Sequence, residues 1–585
     1  MIGPRWRYRL VLSLIWIAVV AAAVTGWLYA RSSGPAYGPV VVVSVESLRA
    51  DHLPVYGDAG VRTPAIDALA ADSVIFDRAY AHSPLTLPST VSLLSGRLPF
   101  QHGVRDEAGF PLPPSVSLLP QWLHRRGFKT AGIVSSCLLR SDTGLGQAFG
   151  FFDDEAGRAA DGAPDRACGR DGEDSLKVAE RWIESVGSAR FFLFLHIDGP
   201  APSAAPDGQA AGLSPYDARV AYADGVIGQL VAFLKKRGLY NGGILVLTSD
   251  HGEGLGDHGE QGHGLLLDEA ALRTPLIVKM PRRDGGGRHS EALVEQADIA
   301  PTLLDLVGAP RPSGLVGISL RRVLDSPTAT IPDRQIYAET IAPRDLFGWS
   351  AARSLTGRRY RYLDGARPGL YDLETDPSER ANLAAADAKT AGQMKAALDK
   401  LAGSPAWPAP AEIPEADRAR LAAFGYLSGL PVPEPADAAD STADPPADPG
   451  ALIGVANRYF DGCRLAAQGR TDAAIAELQA VTAAAPTLAA AWDRLAGLLV
   501  ESGRFKNAAG ALTSLLKLYP EDARAAEADR RLAALLGTEP TADLFAVASS
   551  VWTSLGEKGR AAELRSAARR AVGDAALRKA EAGLR

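Results

Sequence analysis

The chain has 585 residues, too many for one compact core, so two or more domains are expected. Hydrophobic residues make up 46% and charged residues 22%, the balance of a globular protein. The net charge of −6 from 62 basic and 68 acidic residues, with no basic stripe, argues against a nucleic-acid partner. The three cysteines, Cys137, Cys168 and Cys463, show no CxxC spacing, which argues against a zinc-thiolate site. Free thiols are favoured over a Cys137–Cys168 disulfide.

Between Arg9 and Arg31 lie 21 uncharged residues, LVLSLIWIAVVAAAVTGWLYA. That is close to the ~20 residues with which a helix crosses a bilayer. Arg5, Arg7 and Arg9 precede the stretch, so residues 1–9 are expected in the cytoplasm and 10–30 as a transmembrane signal anchor. Trp27 and Tyr29 stand near its outer end. The rest of the chain is then expected outside the cytoplasmic membrane, in the periplasm if a second membrane exists. The alternative is a cleaved signal peptide, with Ala21-Ala22-Ala23 as the cleavage site.

Residues 38–400 alternate strand and helix patterns, which predicts an α/β domain with a mostly parallel sheet flanked by helices. Three apolar runs end on reactive residues: VVVVSV (40–45) on Glu46, FFLFL (191–195) on His196, and ILVLTS (244–249) on Asp250-His251. Unbroken apolar runs fit strands buried on both faces, and ligands sit beyond the carboxyl ends of such strands. Thr63-Pro64 opens a predicted amphipathic helix, and 117–126 and 216–237 are further helical stretches. Residues 155–175 read as a polar surface loop, and 282–288 (RRDGGGR) as a flexible turn. Residues 401–450 form a connecting segment whose last part, PVPEPADAADSTADPPADPG, is a Pro/Asp/Ala-rich linker. From 451 to 585 the composition turns to Ala- and Leu-rich helix. Gly469-Arg470 recurs as Gly503-Arg504, Pro486 as Pro520, Leu465 as Leu499 and Leu478 as Leu512, each 34 residues apart. That period predicts an all-α tetratricopeptide-like domain with a concave face for a protein partner.

The chemistry concentrates in three motifs. In TSDHGEGLGDHGEQGHG (248–264), Asp250 and His251 leave a strand together and His263 returns twelve residues later. In SPLTLPSTVSLLSG (83–96), Pro88 suits a helix first turn and Gly96 can end the helix, so Thr86 sits just ahead of its N-terminus, where N–H groups and the dipole favour an anion. A hydroxyl there can attack phosphorus or sulfur if a metal lowers its pKa. In VVVVSVESLRAD (40–51), Glu46 at the strand end is an oxygen ligand for a cation, with Arg49 or Asp51 as ion-pairing support.

These motifs, in this order, resemble the sulfatase branch of the alkaline phosphatase superfamily. YDARVAYADGVIGQLVAFL, LRTPLIVKMP, VEQADIAPTLLDLVGAP and LYDLETDPSERANLA carry the resemblance onward to about residue 385. Similar chains also carry RLAAFGYLSG ahead of a tetratricopeptide region. The resemblance implies a nucleophile at Thr86, metal ligands at Glu46, Asp250 and His251 with Thr86, a histidine for the transferred group at His196, and a cation position at His263. It also implies departures. Sulfatases convert a Cys or Ser to formylglycine and expel sulfate through its second hydroxyl; Thr86 cannot form that group. Thr90 replaces the arginine of the C-x-P-S-R motif, Ser47 replaces the second carboxylate, and Gly199-Pro200 stand where a second histidine follows His196. Ser135 and Cys137 replace a Lys and a His. The quartet Glu46, Thr86, Asp250 and His251 is instead similar to that of membrane phosphoethanolamine and phosphoglycerol transferases, in which a metal-bound Thr takes the phosphoryl group.

The expectation is a membrane-anchored ester hydrolase, acting on phosphate or sulfate esters through Thr86 with His196 and His263, and without formylglycine. One divalent ion, Zn²⁺ or Mn²⁺ ahead of Ca²⁺ or Mg²⁺, suits two carboxylates and an imidazole. The alternatives are a phospho-group transferase of the envelope and a degenerate, sulfatase-like scaffold that binds a partner through its repeats.

Overall fold

The computed structural model describes residues 38–57, 60–155, 169–198, 213–404, 407–411, 447–518 and 541–584, with Trp16 and Leu532. The predicted anchor at 10–30 therefore lies outside the described residues apart from Trp16. Among the described residues no helix is long and apolar enough to cross a membrane.

The three reactive runs are adjacent strands. β1 (Val40–Val45), β2 (Val74–Tyr80), β3 (Lys129–Val134), β4 (Phe151–Asp153), β5 (Phe191–Ile197), β6 (Ile244–Ser249), β7 (Arg273–Lys279) and β8 (Arg288–Glu295) form one sheet in the order β4-β3-β5-β1-β6-β7-β2-β8. β1 pairs in parallel with β5 on one side and β6 on the other, Ser44 lying opposite His196 and Thr248. β7 alone runs against its neighbours β6 and β2, so the sheet is mostly parallel, as the sequence predicts.

Alternation places the strand residues on two faces. Val40 and Val42, Phe192 and Phe194, and Ile244 and Val246 enter one core with the helices α2 (Thr86–Ser95), α3 (Leu119–His124) and α6 (Ile299–Leu306). Val41, Val43, Leu193, Leu195, Leu245 and Leu247 enter the other, with α1 (Pro64–Ala71), α4 (Gly172–Val186) and α5 (Pro215–Lys236). Both faces are covered, which is why the runs carry no polar alternation. His196 has the same parity as Phe192 and Phe194. Glu46 and Asp250 continue the same parity one residue past β1 and β6. All three therefore belong to the α2 side of the sheet.

The expected loop at 155–175 ends early: α4 begins at Gly172, while 156–168 lie outside the described residues. The expectation of free thiols is corrected at one position. Cys137 is disulfide-bonded, whereas Cys463 is a buried free thiol; Cys168 lies outside the described residues.

A second, antiparallel sheet follows: β9 (Ile336–Thr340), β10 (Ala352–Thr356), β11 (Tyr360–Asp364) and β12 (Gly369–Asp372), in the order β12-β11-β10-β9. It is braced by α7 (Ala388–Ala402), whose Asp399 accepts a hydrogen bond from the buried Arg353 at 2.9 Å. The residues after α7 lie on the α/β domain. Ala411 N–H donates to Gly109 O at 2.8 Å, and the Arg105 guanidinium stands 4.9 Å from the Trp407 ring centroid.

The C-terminal region is helical: α8 (Pro449–Ala467), α9 (Thr471–Ala484), α10 (Ala489–Glu501), α11 (Phe505–Leu516), α12 (Ala542–Ser554), α13 (Lys558–Val572) and α14 (Asp574–Leu584). The residues of the 34-residue register occupy equivalent places where they are described. Gly469 and Gly503 both turn the chain between helices, at φ 74° and 70°, where a Cβ would be strained. Leu465, Leu478, Leu499 and Leu512 are all buried in one core. Pro520 lies outside the described residues.

Candidate active site

The site forms where β1, β5 and β6 end beneath the N-terminus of α2. α2 is wholly buried and closes on Gly96, left-handed at φ 65°, whose N–H returns to Ser92 O. Thr86 is its first residue. Its Oγ1 lies 3.5 Å from Glu46 Oε1 and 3.2 Å from His251 Nε2. Asp250 Oδ2 stands 3.8 Å from His251 Nε2 and 3.4 Å from His196 Nε2. The structure thus brings together Glu46, Thr86, His196, Asp250 and His251, drawn from positions far apart in the chain.

Backbone geometry sets each group. Ser47 adopts φ 56° and turns its N–H onto Asp250 Oδ1 at 2.9 Å. Asp250 Oδ1 also accepts the His251 N–H at 2.8 Å, so Oδ2 is the oxygen turned to the imidazoles. His251 Nδ1 donates to Gly252 O at 2.7 Å, which leaves the lone pair of Nε2 facing the Thr86 hydroxyl. Arg49 ties the surrounding loops: it pairs with Asp51 and Asp257, each at 2.7 Å, and reaches Glu253 O at 3.0 Å.

His263 joins from the return of the Gly-rich loop. Its Nδ1 lies 3.3 Å from both Glu253 oxygens, and its ring centroid is 4.3 Å from that of His251. Burial works against its charge, but Glu253, followed by Glu260 and Glu107, overrides burial and raises its pKa to about 9. His251 goes the other way: burial lowers it to about 4 despite Asp250. Near neutral pH one imidazole is thus a cation and the other a neutral ligand or acceptor.

The carboxylates are equally differentiated. Burial, then Asp198 and Asp250, push Glu46 well above the ordinary carboxylate range, against Arg219. Burial also opposes Asp250's charge, but His251, His196 and the Ser47 N–H hold it below its ordinary value. Arg219 on α5 bonds Asp198 at 3.1 Å.

Glu107 is a site residue that no sequence motif marks. Its Oε1 accepts the Thr86 N–H at 2.6 Å and its Oε2 the Leu87 N–H at 3.1 Å, so it caps the helix that carries Thr86. Burial pushes its carboxyl up to about 7 in spite of both N–H groups. Asp198, Arg219 and Glu253 likewise go unassigned in the sequence. Only Glu253 has a visible signal there, as the acidic residue of the SDHGE segment. Glu107→Ala leaves two buried N–H groups unmet and should cost about 2 kcal/mol of stability. Glu107→Gln keeps one acceptor and should cost about half of that. Chemical denaturation reads both, and an unchanged midpoint in Glu107→Ala would show that the cap is dispensable.

The donor set fits a divalent cation. Glu46 Oε2 is buried without a partner among the described residues, while Glu46 Oε1 and His251 Nε2 flank Thr86 Oγ1 and Asp250 Oδ2 stands 3.8 Å from His251 Nε2. No group of three or more His, Cys, Asp or Glu among the described residues forms a closed metal-ligand cluster by itself. The arrangement is looser, with the Thr86 hydroxyl as the neighbour that Glu46 and His251 share.

The class these observations define is an α/β domain with a mostly parallel sheet, whose strand ends bring carboxylates and imidazoles beside a hydroxyl at a helix N-terminus. Residues 39–309 match the sulfatase family, and 256–403 match the C-terminal region of N-sulphoglucosamine sulphohydrolase. The sulfatase match covers less than half of the chain, so it marks residues 39–309 as similar to sulfatases. Arylsulfatase K of Bos taurus is 32% identical over 181 residues, 29% of this chain and 33% of that protein. Iduronate 2-sulfatase of Mus musculus is 25% identical over 425 residues, 53% of this chain and 75% of that protein. The match spans about a third of the length of the first curated relatives. Among solved structures, a 2-O GAG sulfatase has a TM-score of 0.53 at 20% identity, covering 62% of this chain and 92% of that one. The phosphonate monoester hydrolase of Agrobacterium radiobacter has a TM-score of 0.51 at 22% identity, with 62% and 94% covered. At such identities the structural likeness concerns the fold.

Proposed function

We propose that this protein is a metal-dependent hydrolase of phosphate esters, with sulfate esters as the alternative substrate, working through a covalent ester on Thr86. The observation that carries the reading is Thr86 Oγ1, held at the head of a buried helix 3.5 Å from Glu46 Oε1 and 3.2 Å from His251 Nε2. A divalent ion held by Glu46, Asp250, His251 and Thr86, Zn²⁺ or Mn²⁺ by donor type, would supply Lewis-acid polarisation and favour the alkoxide. Thr86 has one hydroxyl proton and two acceptors in reach, and Glu46 Oε1, ionised once its other oxygen binds the ion, can receive it. Thr86 Oγ1 then bonds to phosphorus as the bond to the ester oxygen breaks. The His263 imidazolium or His196 donates to the departing oxygen. Water releases the group; an acceptor hydroxyl in its place would make the protein a transferase.

Threonine favours phosphorus over sulfur. A threonine sulfate has no second hydroxyl through which to expel sulfate, whereas a phosphoryl ester yields to attack of water at phosphorus. A panel of nitrophenyl phosphate, bis-nitrophenyl phosphate, a nitrophenyl phosphonate and nitrophenyl sulfate separates the classes. Turnover of phosphorus esters by the wild type but not by Thr86→Ala supports the reading; turnover of the sulfate alone overturns it. A second reading, a catalytically silent scaffold, is favoured by Thr90, buried with its hydroxyl unpartnered among the described residues, where the sulfatase motif has arginine. An inactive, metal-free wild type would support it. We further propose residues 10–30 as a membrane anchor that places 38–400 outside the cytoplasm, and 451–585 as tetratricopeptide repeats for a protein partner.

The pH profile follows from His263. Its proton is in place below about 9 and is lost as pH rises through that value. Turnover should therefore fall on the alkaline side near pH 9, and His263→Asn should remove that limb while lowering the plateau. An alkaline limb that persists in His263→Asn would assign it to another group.

A further inference from the structure

The loop that delivers His263 is gripped from both sides. On one side Arg49 pairs with Asp257 at 2.7 Å. On the other, α8 of the C-terminal region lies against its backbone. Asn457 Nδ2 donates to Gly259 O at 2.7 Å, and Asn457 Oδ1 accepts the Gln261 N–H at 3.2 Å. One side-chain amide thus satisfies an acceptor and a donor two residues apart in the loop. Gly259 is left-handed at φ 87°, and a Cβ there would stand 2.9 Å from Ile453. The loop backbone is therefore seated directly on the helix. The seat is apolar around this amide: Leu85 and Leu265 share one buried cluster with Ala456, Tyr459 and Cys463. Phe347 packs against Tyr459 and Phe460, with ring centroids 5.4 Å and 5.9 Å away. Leu85 immediately precedes Thr86, and Leu265 follows His263 by two residues.

We propose that Asn457 is a positioning residue of the active site: through Gly259 and Gln261 it holds the 254–265 loop, and with it His263, in place against His251, making the C-terminal helical region a working part of the catalytic domain. The inference rests on the reading of His263 as a site residue. Within the loop, Gly254 N–H donates to Gly262 O and Gly256 N–H to Glu260 O, both at 2.7 Å, so its two arms are braced against each other. Asn457 sits in mid-helix, and its removal takes away two hydrogen bonds to the loop while the apolar seat remains.

The test compares full-length wild type, Asn457→Ala, Asn457→Asp and, as a surface control on the same helix, Arg464→Ala. Asn457→Asp can still accept the Gln261 N–H but cannot donate to Gly259 O. Hydrogen–deuterium exchange of the 254–265 amides is read first. Exchange about tenfold faster in Asn457→Ala, intermediate in Asn457→Asp and unchanged in Arg464→Ala supports the clamp. Turnover of bis-nitrophenyl phosphate is read second, with a fall of about tenfold in kcat and little change in KM expected for Asn457→Ala. Unchanged loop exchange in Asn457→Ala overturns the inference, whether or not the protein is active. Faster exchange with undiminished kcat also overturns it, because the loop would then not position a catalytic group. A wild type without turnover defeats the reading of the site instead, and the exchange rates alone then decide whether Asn457 clamps the loop.

Discussion

Thr86→Ala should abolish turnover of phosphorus esters, lowering kcat by about 10³-fold or more. The reason is geometric. Thr86 Oγ1 is the hydroxyl oxygen that the structure sets within 3.5 Å of both Glu46 and His251. The alanine side chain keeps the helix N-terminus, because Glu107 caps it through backbone N–H groups rather than through the hydroxyl. Loss of activity would thus not trace to loss of the fold, and an unchanged denaturation midpoint checks this. Thr86→Ser keeps the oxygen at the same place and should retain a measurable fraction of the wild-type rate. If Thr86→Ala instead keeps a tenth or more of the wild-type kcat, the nucleophile lies elsewhere.

Asp250→Asn should empty the site of its ion and reduce activity to a similar extent. The substitution is nearly isosteric. An asparagine oxygen can still accept the Ser47 and His251 N–H groups that Asp250 Oδ1 accepts at 2.9 Å and 2.8 Å, so the turn after β6 survives. What changes is charge. Asp250 is held below its ordinary carboxylate pKa and stays anionic across the working range. Without that anion the remaining ligands are Glu46, a neutral His251 and the Thr86 oxygen, too little charge to retain a divalent cation tightly. The same loss helps Glu46 ionise, because Asp250 is one of the groups that raise it. A chelator should mimic the substitution in the wild type, and Zn²⁺ or Mn²⁺ should restore the wild type but not Asp250→Asn. Full activity after exhaustive chelation would show that no metal takes part in the reaction.

The strand ends were legible because burial on both faces leaves an unmistakable apolar run: Glu46 and Asp250 follow directly on β1 and β6, while β5 runs one residue past His196 to Ile197. Thr86 was legible as lying beside a helix start, because Pro88 suits a first turn and Gly96 a helix end, although the helix begins on Thr86 itself, two residues before Pro88. Glu107 was not: it lies past the end of α2 in a loop with no periodicity, and only the folded chain brings its carboxylate onto the helix. Asn457 was hidden for the same reason, since a mid-helix asparagine in an Ala-rich repeat carries no local signal of what it touches. The four-stranded antiparallel sheet escaped because its strands are short and Arg353 and Arg361, buried in ion pairs, read as surface residues.

Metal content is the most direct test of the central claim that a cation sits beside the Thr86 oxygen. The full chain, purified without chelator, should carry a stoichiometric divalent ion by plasma mass spectrometry, lost in Asp250→Asn and kept in Thr86→Ala. Equal metal in the wild type and Asp250→Asn, or a metal-free wild type that still turns over phosphate esters, would contradict it.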